Sequence, residues 1–333
     1  MNTFPKISII TPTYNQGQYI EQTILSVLNQ NYPNLEYIII DGGSTDNTID
    51  IIKKYETKIT YWVSEPDKGQ SDAINKGMQK ATGEVINWLN SDDFYEPNAL
   101  NKIANCFIEN PNALVVCAKS RLFTDDNKTV GFTNGTDIYS GNIEKTIGWA
   151  RIDQPETFFK RSIFEKIGSI DDELKYLMDR DLWIKCLIHF GLENIVKTDT
   201  IIVNFRLHNT SKTVSQGTHF QKEHDSWYYA FALQNGLKEL ATKISENFSV
   251  NSSFKIKNLP KIDTNFAEKI INYFFYLRAV EKYAQNNKSF AKQLFLLVNP
   301  KLLSGNDKNW LKKLEFRNKF IPSFVLSYIR KRR

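Results

Sequence analysis

Cysteine, methionine and histidine are all scarce in this 333-residue chain, at three, three and four residues. Cys106, Cys117 and Cys186 fall in no metal-ligand or Cys-x-x-Cys spacing, and an odd number leaves no complete disulfide framework. Each is expected as a small buried apolar residue in a reducing compartment. The histidines, His189, His208, His219 and His224, form no zinc spacing. No run approaches the ~18 uninterrupted apolar residues of a membrane-spanning helix. The opening MNTFPKISII enters a strand-like run without the basic start, apolar stretch and small-residue cleavage site of a signal peptide. Internal repeats and low-complexity tracts are lacking as well. These absences point to a cytoplasmic globular protein.

What is present is enough apolar material, 41% of residues beside 24% charged, for one large or two moderate domains. The net charge of +6 is unevenly placed. Residues 305–333 hold nine cationic side chains against Asp307 and Glu315, which leaves the rest of the chain close to neutral. A basic end on a neutral body points to an anionic partner surface at one pole, and argues against a nucleic-acid-binding body.

Along the chain, a short β-branched run at 7–10 stops at Thr11-Pro12-Thr13-Tyr14-Asn15. Ile20, Ile24, Leu25, Val27 and Leu28 predict a helix over 18–29. A strand at 37–40 runs into Asp41-Gly42-Gly43-Ser44-Thr45-Asp46, followed by a helix at 47–55. The alternation repeats as strand 60–63, loop 64–69, helix 70–80, strand 85–89 and loop 90–93. Strands separated by helix-length segments imply right-handed crossovers and an α/β fold, with helices flanking a mostly parallel sheet. Such sheets bind ligands at the carboxyl ends of their strands. From 114 onward the pattern loosens, with a strand at 157–160, a helix at 181–190 and a strand at 200–207. Beyond 215 it reads as helical, with Phe266, Ile270, Phe274 and Leu277 on one face. Trp62, Trp88 and Trp183 are expected in the core.

Four strand-end loops are candidates for one site: 11–15, 41–46, 65–69 and 90–93. The last, Asn90-Ser91-Asp92-Asp93, is the most informative. Adjacent carboxylates at the exit of a buried strand repel one another, and a dication relieves that repulsion. Oxygen ligands suit Mg²⁺ or Mn²⁺, which also grip phosphate. The competing reading is that Asp92 or Asp93 caps a helix beginning near Pro97.

At these loops the sequence resembles the family 2 glycosyltransferases of the GT-A fold. The resemblance lies in TPTYNQGQYIEQTILSVLNQ, EYIIIDGGSTDNT, SEPDKGQSDAINKG and INWLNSDD, in the family's order, then in YLMDRDLWIKC and FRLHNTSKT. It covers residues 4 to about 213. It implies a catalytic domain over 1–215, with a Rossmann-like nucleotide-binding half at 1–113 and an acceptor-binding half at 114–215. A helical C-terminal region, 216–333, would follow. By the same resemblance Thr11, Pro12, Tyr14 and Asp41 would hold the base and ribose of a nucleotide-sugar donor, with Asp67 and Asp72 close by. Asn90 and Ser91 would flank Asp92, the acid that ligates the metal. Asp179 would be the catalytic base, and His208 would complete metal or diphosphate binding, with Arg206, Ser211 and Lys212 as diphosphate contacts. The reaction implied is inverting transfer of a hexosyl or N-acetylhexosaminyl group, from a UDP-sugar, to a glycan or lipid-linked glycan in surface polysaccharide or glycoconjugate assembly.

Three positions depart from the family pattern. Asn90 stands where the first acid of the Asp-x-Asp motif is expected, Met178 where relatives have Glu before Asp179, and Ile74 where many carry an arginine. Duller roles stay open for each candidate: Asp179 and Asp181 also suit a helix start, and His208 a strand end. A sugar nucleotidyltransferase would share the sheet and the metal carboxylate, but carries a glycine-rich loop and Thr-Arg where this chain has Thr-Pro-Thr-Tyr-Asn. A non-catalytic carbohydrate-binding protein would need neither Asp92 nor Asp179. At the C-terminus, two helices are predicted, over 308–319 and 322–329. The second carries Phe324, Val325, Tyr328 and Ile329 beside a basic tail, an amphipathic pattern suited to an anionic membrane surface or to packing on the catalytic domain.

Overall fold

Seven consecutive buried residues make β1 (Ile7–Thr13) the centre of a sheet. In the computed structural model, which describes residues 4–208 and 216–321, β1 pairs in parallel with β2 (Leu35–Asp41), and β3 (Tyr61–Ser64) adds beyond β2. On its other side lies β4 (Val85–Trp88), also parallel. The connections are α1 (Ile20–Leu28), α2 (Thr48–Lys54) and α3 (Gln70–Lys80). Ile20, Ile24, Val27, Ile51 and Ile52 from these helices join Ile7, Ile9, Ile39 and Val85 from the strands in one apolar core, the burial that drives the fold.

β1 extends through Pro12, past its predicted stop. The carbonyl of Ile10 accepts from Leu89 N and that of Thr13 from Gly42 N. Alternation along the strand therefore aims the missing N–H of Pro12 toward the β4 side, where β4 has already ended at Trp88. No ladder bond is lost, which is the condition for proline in a strand.

Past β4 the sheet becomes mixed. With β5 (Phe94–Tyr95), β6 (Val115–Thr124), β7 (Thr129–Phe132), β8 (Thr157–Lys160) and β9 (Ile195–Leu207), the order is β3-β2-β1-β4-β8-β6-β9-β5, and β7 pairs with β6. β8 is antiparallel to both β4 and β6, whereas β6 and β9 are parallel. The α/β expectation holds, with the parallel part concentrated in β3-β2-β1-β4. β9 begins five residues before the predicted strand, because Lys197 and Asp199 break its apolar pattern on the exposed side. Trp88 and Trp183 are fully buried, and Trp62 is half-buried on β3. Cys117 and Cys186 are buried and Cys106 partly so.

The sheet unit comprises residues 4–137, 151–208 and 216–220 and includes α4 (Ala99–Glu109). After α5 (Ile143–Trp149), which leaves it, α6 (Arg161–Ile167) and α7 (Met178–Phe190) complete it. A second unit gathers residues 138–150 and 221–321, so the segment carrying α5 belongs with the helical part of the chain. There α8 (Gly217–Gln234), α9 (Lys238–Asn247), α10 (Thr264–Ala284), α11 (Lys288–Phe295) and α12 (Gly305–Phe320) follow one another. α10 is buried on most sides rather than on the single predicted face, since Ile271, Tyr273 and Phe275 are enclosed along with Ile270 and Phe274. Tyr228 stacks on Phe274 at 4.4 Å, and its hydroxyl donates to Ile147 O on α5 at 2.5 Å. The predicted helix at 308–319 is α12, and its predicted successor at 322–329 lies outside the described residues.

Gly83 lets the chain enter β4 against β1. A Cβ there would lie 2.7 Å from Ser8 N and 2.9 Å from Lys6 O, both backbone atoms of the neighbouring strand segment. Gly83→Ala is expected to lower stability by about 1–3 kcal/mol, read as a drop in the denaturation midpoint of the sheet unit.

Candidate active site

The carboxyl ends of the parallel strands open into a cavity of about 1020 Å³ in the sheet unit. Pro12, Thr13 and Tyr14 from the end of β1, Asp67 and Gln70 at the start of α3, and Asn90 to Asp93 after β4 form one wall. Asp153, Gln154 and Glu156 before β8, Asp179 and Arg180 at the start of α7, and Arg206 to His208 at the end of β9 form the other. Asp92 and Asp179, remote in sequence, face the same space.

Asp92 Oδ2 lies 2.9 Å from His208 Nε2, and this bond is the main reason the His208 imidazole is held above its ordinary pKa, against the opposing effect of burial. Behind them Asp93 is 1% exposed. Its Oδ1 accepts from Arg206 N at 2.9 Å, while Oδ2 has no hydrogen-bond partner among the described residues. Burial, and then the neighbouring Asp92, push the Asp93 carboxyl far above the usual carboxylate range. Among the described residues no three or more His, Cys, Asp or Glu side chains gather as a self-sufficient metal cage. The donors present are one carboxylate and one imidazole beside an orphaned carboxylate oxygen. That set fits a Mg²⁺- or Mn²⁺-type ion whose remaining ligands are diphosphate oxygens and water.

Asp179 sits in the first turn of α7, half-buried at the cavity wall. Desolvation raises its pKa to about 6 against the lowering effects of Arg180 and of the Arg180 backbone N–H, which donates to Oδ1 at 2.7 Å. Asn90 Oδ1 accepts from Gln70 Nε2 at 2.7 Å, so the amide that replaces an acid here ties the β4 exit loop to α3. Asp67 accepts from Gly69 N at 2.7 Å, and Tyr14 is exposed at the rim.

Four expected donor contacts have other surroundings. Thr11 is buried, with Oγ1 3.2 Å from the Tyr37 hydroxyl, because strand alternation turns it away from the face that Pro12 presents. Asp41 is also fully buried and organises its own loop: it accepts from Gly43 N, Ser44 N and the Ser44 and Ser64 hydroxyls. Asp72 turns to Lys68 N and Lys76 rather than to the cavity. Arg206 borders the cavity, yet its guanidinium faces protein acceptors: Nε donates to Asp92 O at 3.0 Å, Nη2 to Gln22 Oε1 at 2.6 Å and Nη1 to Asp125 Oδ1 at 3.4 Å. The guanidinium carbon also lies 4.6 Å from the ring centres of both Tyr19 and Phe123. Arg206 thus positions the Asp92 loop. Ser211 and Lys212 lie outside the described residues.

The chain is similar to known glycosyltransferases. The model of glycosyl transferase family 2 matches residues 8–168. An uncharacterized glycosyltransferase of Rickettsia typhi is 31% identical over 224 residues, 64% of this chain and 67% of that protein. A Bacillus subtilis relative, TuaG, whose name assigns it to teichuronic acid biosynthesis, is 34% identical over 151 residues, 44% of this chain and 60% of that one. Among solved structures, S. aureus TarS 1–349 in complex with UDP aligns with a TM-score of 0.54 at 18% identity, covering 98% of this chain and 92% of that chain. It shares the GT-A fold.

Sequence reasoning missed the polar turn before β8. Gln154–Glu156 is a single 3-10 turn, and the one hint in the sequence is a polar Asp-Gln-Pro-Glu stretch entering an apolar strand. Gln154 Nε2 donates to Trp88 O at 2.8 Å, fixing the end of β4. Asp153 pairs with Arg151 at 3.2 Å. Glu156 is fully buried at the cavity wall, bonded by the Ser120 and Thr133 hydroxyls, and desolvation lifts its pKa to about 8. A carboxyl whose folded pKa lies above its unfolded value of 4.5 stabilises the fold while protonated, and that contribution is lost as pH rises from about 4.5 through about 8. Glu156→Gln keeps a neutral group of the same shape. The melting temperature of the wild type is therefore expected to fall by several degrees more than that of the variant between about pH 5 and about pH 8.5, as thermal denaturation at the two pH values would measure.

Proposed function

The chain belongs to glycosyl transferase family 2, and from that premise we propose that it transfers a hexosyl or N-acetylhexosaminyl group from a UDP-sugar to a hydroxyl of a glycan or lipid-linked glycan, with inversion at the sugar carbon. The observation that carries this reading is the shared cavity of Asp92, His208 and Asp179. Asp179 is the general base. A carboxyl with a pKa of about 6 is mostly ionised near neutrality and is a stronger base than an ordinary aspartate. A carboxylate oxygen of Asp179 takes the proton of the acceptor hydroxyl as the hydroxyl oxygen bonds to the sugar carbon. The bond from that carbon to the diphosphate breaks on the opposite face, so a single displacement inverts the centre.

Asp92 and His208 would hold the divalent ion, Mn²⁺ or Mg²⁺, whose chemistry is to neutralise charge on the leaving diphosphate. Pro12, Tyr14 and Asp67 border the part of the cavity assigned to the nucleoside, and Asn90 and Ser91 the part assigned to the donor sugar and phosphates. Ser211 and Lys212 keep their place in the proposal as diphosphate contacts. Arg206 is assigned to positioning, and Thr11, Asp41 and Asp72 to loop architecture. The name of the B. subtilis relative supports a cell-surface polymer as product, and S. aureus TarS, solved with UDP and with UDP-GlcNAc, supports a uridine donor. Family membership sets aside a sugar nucleotidyltransferase. Among the described residues no helix is long and apolar enough to cross a membrane. The working location is the cytoplasm, at the inner membrane face where lipid-linked acceptors are presented, and the basic tail at 322–333 remains a candidate membrane contact.

Two substitutions test the assignment. Asp92→Ala is expected to remove Mn²⁺-dependent binding of UDP-sugars in calorimetry, and retained metal-dependent affinity would overturn the ligand role. Asp179→Asn is expected to bind donor normally and to lose turnover by about 10²–10⁴-fold. In the wild type kcat/KM should rise with pH through a midpoint of about 6, and a near-normal rate in the variant would require a different base.

A further inference from the structure

α12 carries a buried face and an exposed one. Asp307, Leu311, Leu314 and Asn318, spaced by three and four residues, are buried within the helical unit. Along the exposed side Trp310, Lys313, Arg317 and Phe320 repeat the same spacing, with Phe316 beside them. Trp310 is 40%, Phe316 60% and Phe320 58% exposed, an unusual density of bare aromatic rings for one helix. Cations are interleaved with the rings: the Arg317 guanidinium lies 5.5 Å from the Trp310 ring centre and the Lys319 ammonium 4.9 Å from that of Phe320. Phe316 and Phe320 touch at 4.8 Å. Lys312, Lys313, Phe316, Arg317 and Ile321 line a shallow depression of about 280 Å³.

No carboxylate interrupts this stripe. Asp307 is turned inward, with Oδ1 2.5 Å from Lys145 Nζ, and the exposed Glu315 flanks the stripe, one turn from Lys312 and Lys319. Rings that want an apolar phase and cations that want an anion, side by side on one helix face, match the boundary of an anionic bilayer, where rings sit at the headgroup level and lysine and arginine reach the phosphates.

We propose that the outward face of α12, through Trp310, Phe316 and Phe320 with Lys312, Lys313 and Arg317, docks on an anionic phospholipid surface. The proposal rests on and deepens the membrane part of the reading above, placing the contact on a described helix instead of the basic tail. Transfer chemistry in the sheet unit is independent of it. A protein that binds UDP-sugar but not vesicles would refute only the docking face, and one that binds vesicles but not donor would refute only the enzymatic reading.

The test uses the full chain and vesicles of phosphatidylcholine with and without phosphatidylglycerol. Sedimentation should show binding that requires phosphatidylglycerol. It should weaken about tenfold or more both in the Trp310→Ala/Phe316→Ala/Phe320→Ala variant and in Lys312→Glu/Lys313→Glu/Arg317→Glu, while circular dichroism and UDP-sugar affinity stay unchanged. Trp310 is the one exposed tryptophan among the six in the chain. Brominated lipid should therefore quench the wild-type fluorescence, and the quenching should vanish in Trp310→Phe. Wild-type affinity in either triple variant, which would assign binding to the tail, overturns the proposal. So does binding indifferent to phosphatidylglycerol, absence of binding, or quenching that survives Trp310→Phe.

Discussion

Arg206 is the residue on which the geometry of the site turns. Its backbone N–H and its guanidinium reach Asp93, Asp92, Gln22 and Asp125, so one side chain joins the end of β9, the exit of β4, the first crossover helix and the turn after β6. Such a charged group is almost entirely buried, at 7% exposure, a state that is costly unless its donors are satisfied. Here carbonyl, amide and carboxylate oxygens satisfy them, and Tyr19 and Phe123 cover the guanidinium. The Asp92 carboxylate is then presented to the cavity from a loop that cannot drift, which matters because a ligand misplaced by an ångström loses most of its effect.

Acidic side chains gather along the cavity wall. Asp92, Asp93, Asp153, Glu156 and Asp179 all border it. Four of these are pushed above ordinary carboxylate pKa values, with burial the leading cause each time. Burial of several acids in one wall is unfavourable in the free protein, and the fold answers by keeping Glu156 protonated and by setting Arg151 against Asp153. Around Asp92 the answer is different: among the described residues its side-chain partner is the His208 imidazole, at 2.9 Å. A metal-bound diphosphate would replace that one contact by several.

Much of this was legible in the sequence. The strands β1 to β4 and the helices between them follow from local periodicity, and their polar exits from the rule that such sheets bind ligands at strand ends. The motifs around Asn90 to Asp93 and around Asp179 point to the two walls, and the structure sets both on one cavity. What the sequence withheld was direction. Thr11 and Asp41 sit in strand-end motifs of the same series as that of Asp92, yet alternation and loop closure turn both inward, and periodicity cannot distinguish a residue that shapes a loop from one that faces the ligand. Glu156 lay hidden for the opposite reason. Its importance comes from long-range antiparallel pairing of β8 with β4 and β6, which no local pattern announces.

The same pairing bears on the strength of the proposed base. Asp179 opens α7, where the helix dipole and its neighbour Arg180 favour the ionised form. Alone they would make it an ordinary or weakened base. Desolvation overrides both, and Asp153, held in the turn that β8 anchors, adds a smaller push in the same direction. The balance lands near 6, high enough to gain basicity and low enough to stay ionised at neutral pH. The turn before β8 therefore bears on the proposed base as well as on the cavity wall, since the Asp153 carboxylate adds to the raised pKa of Asp179.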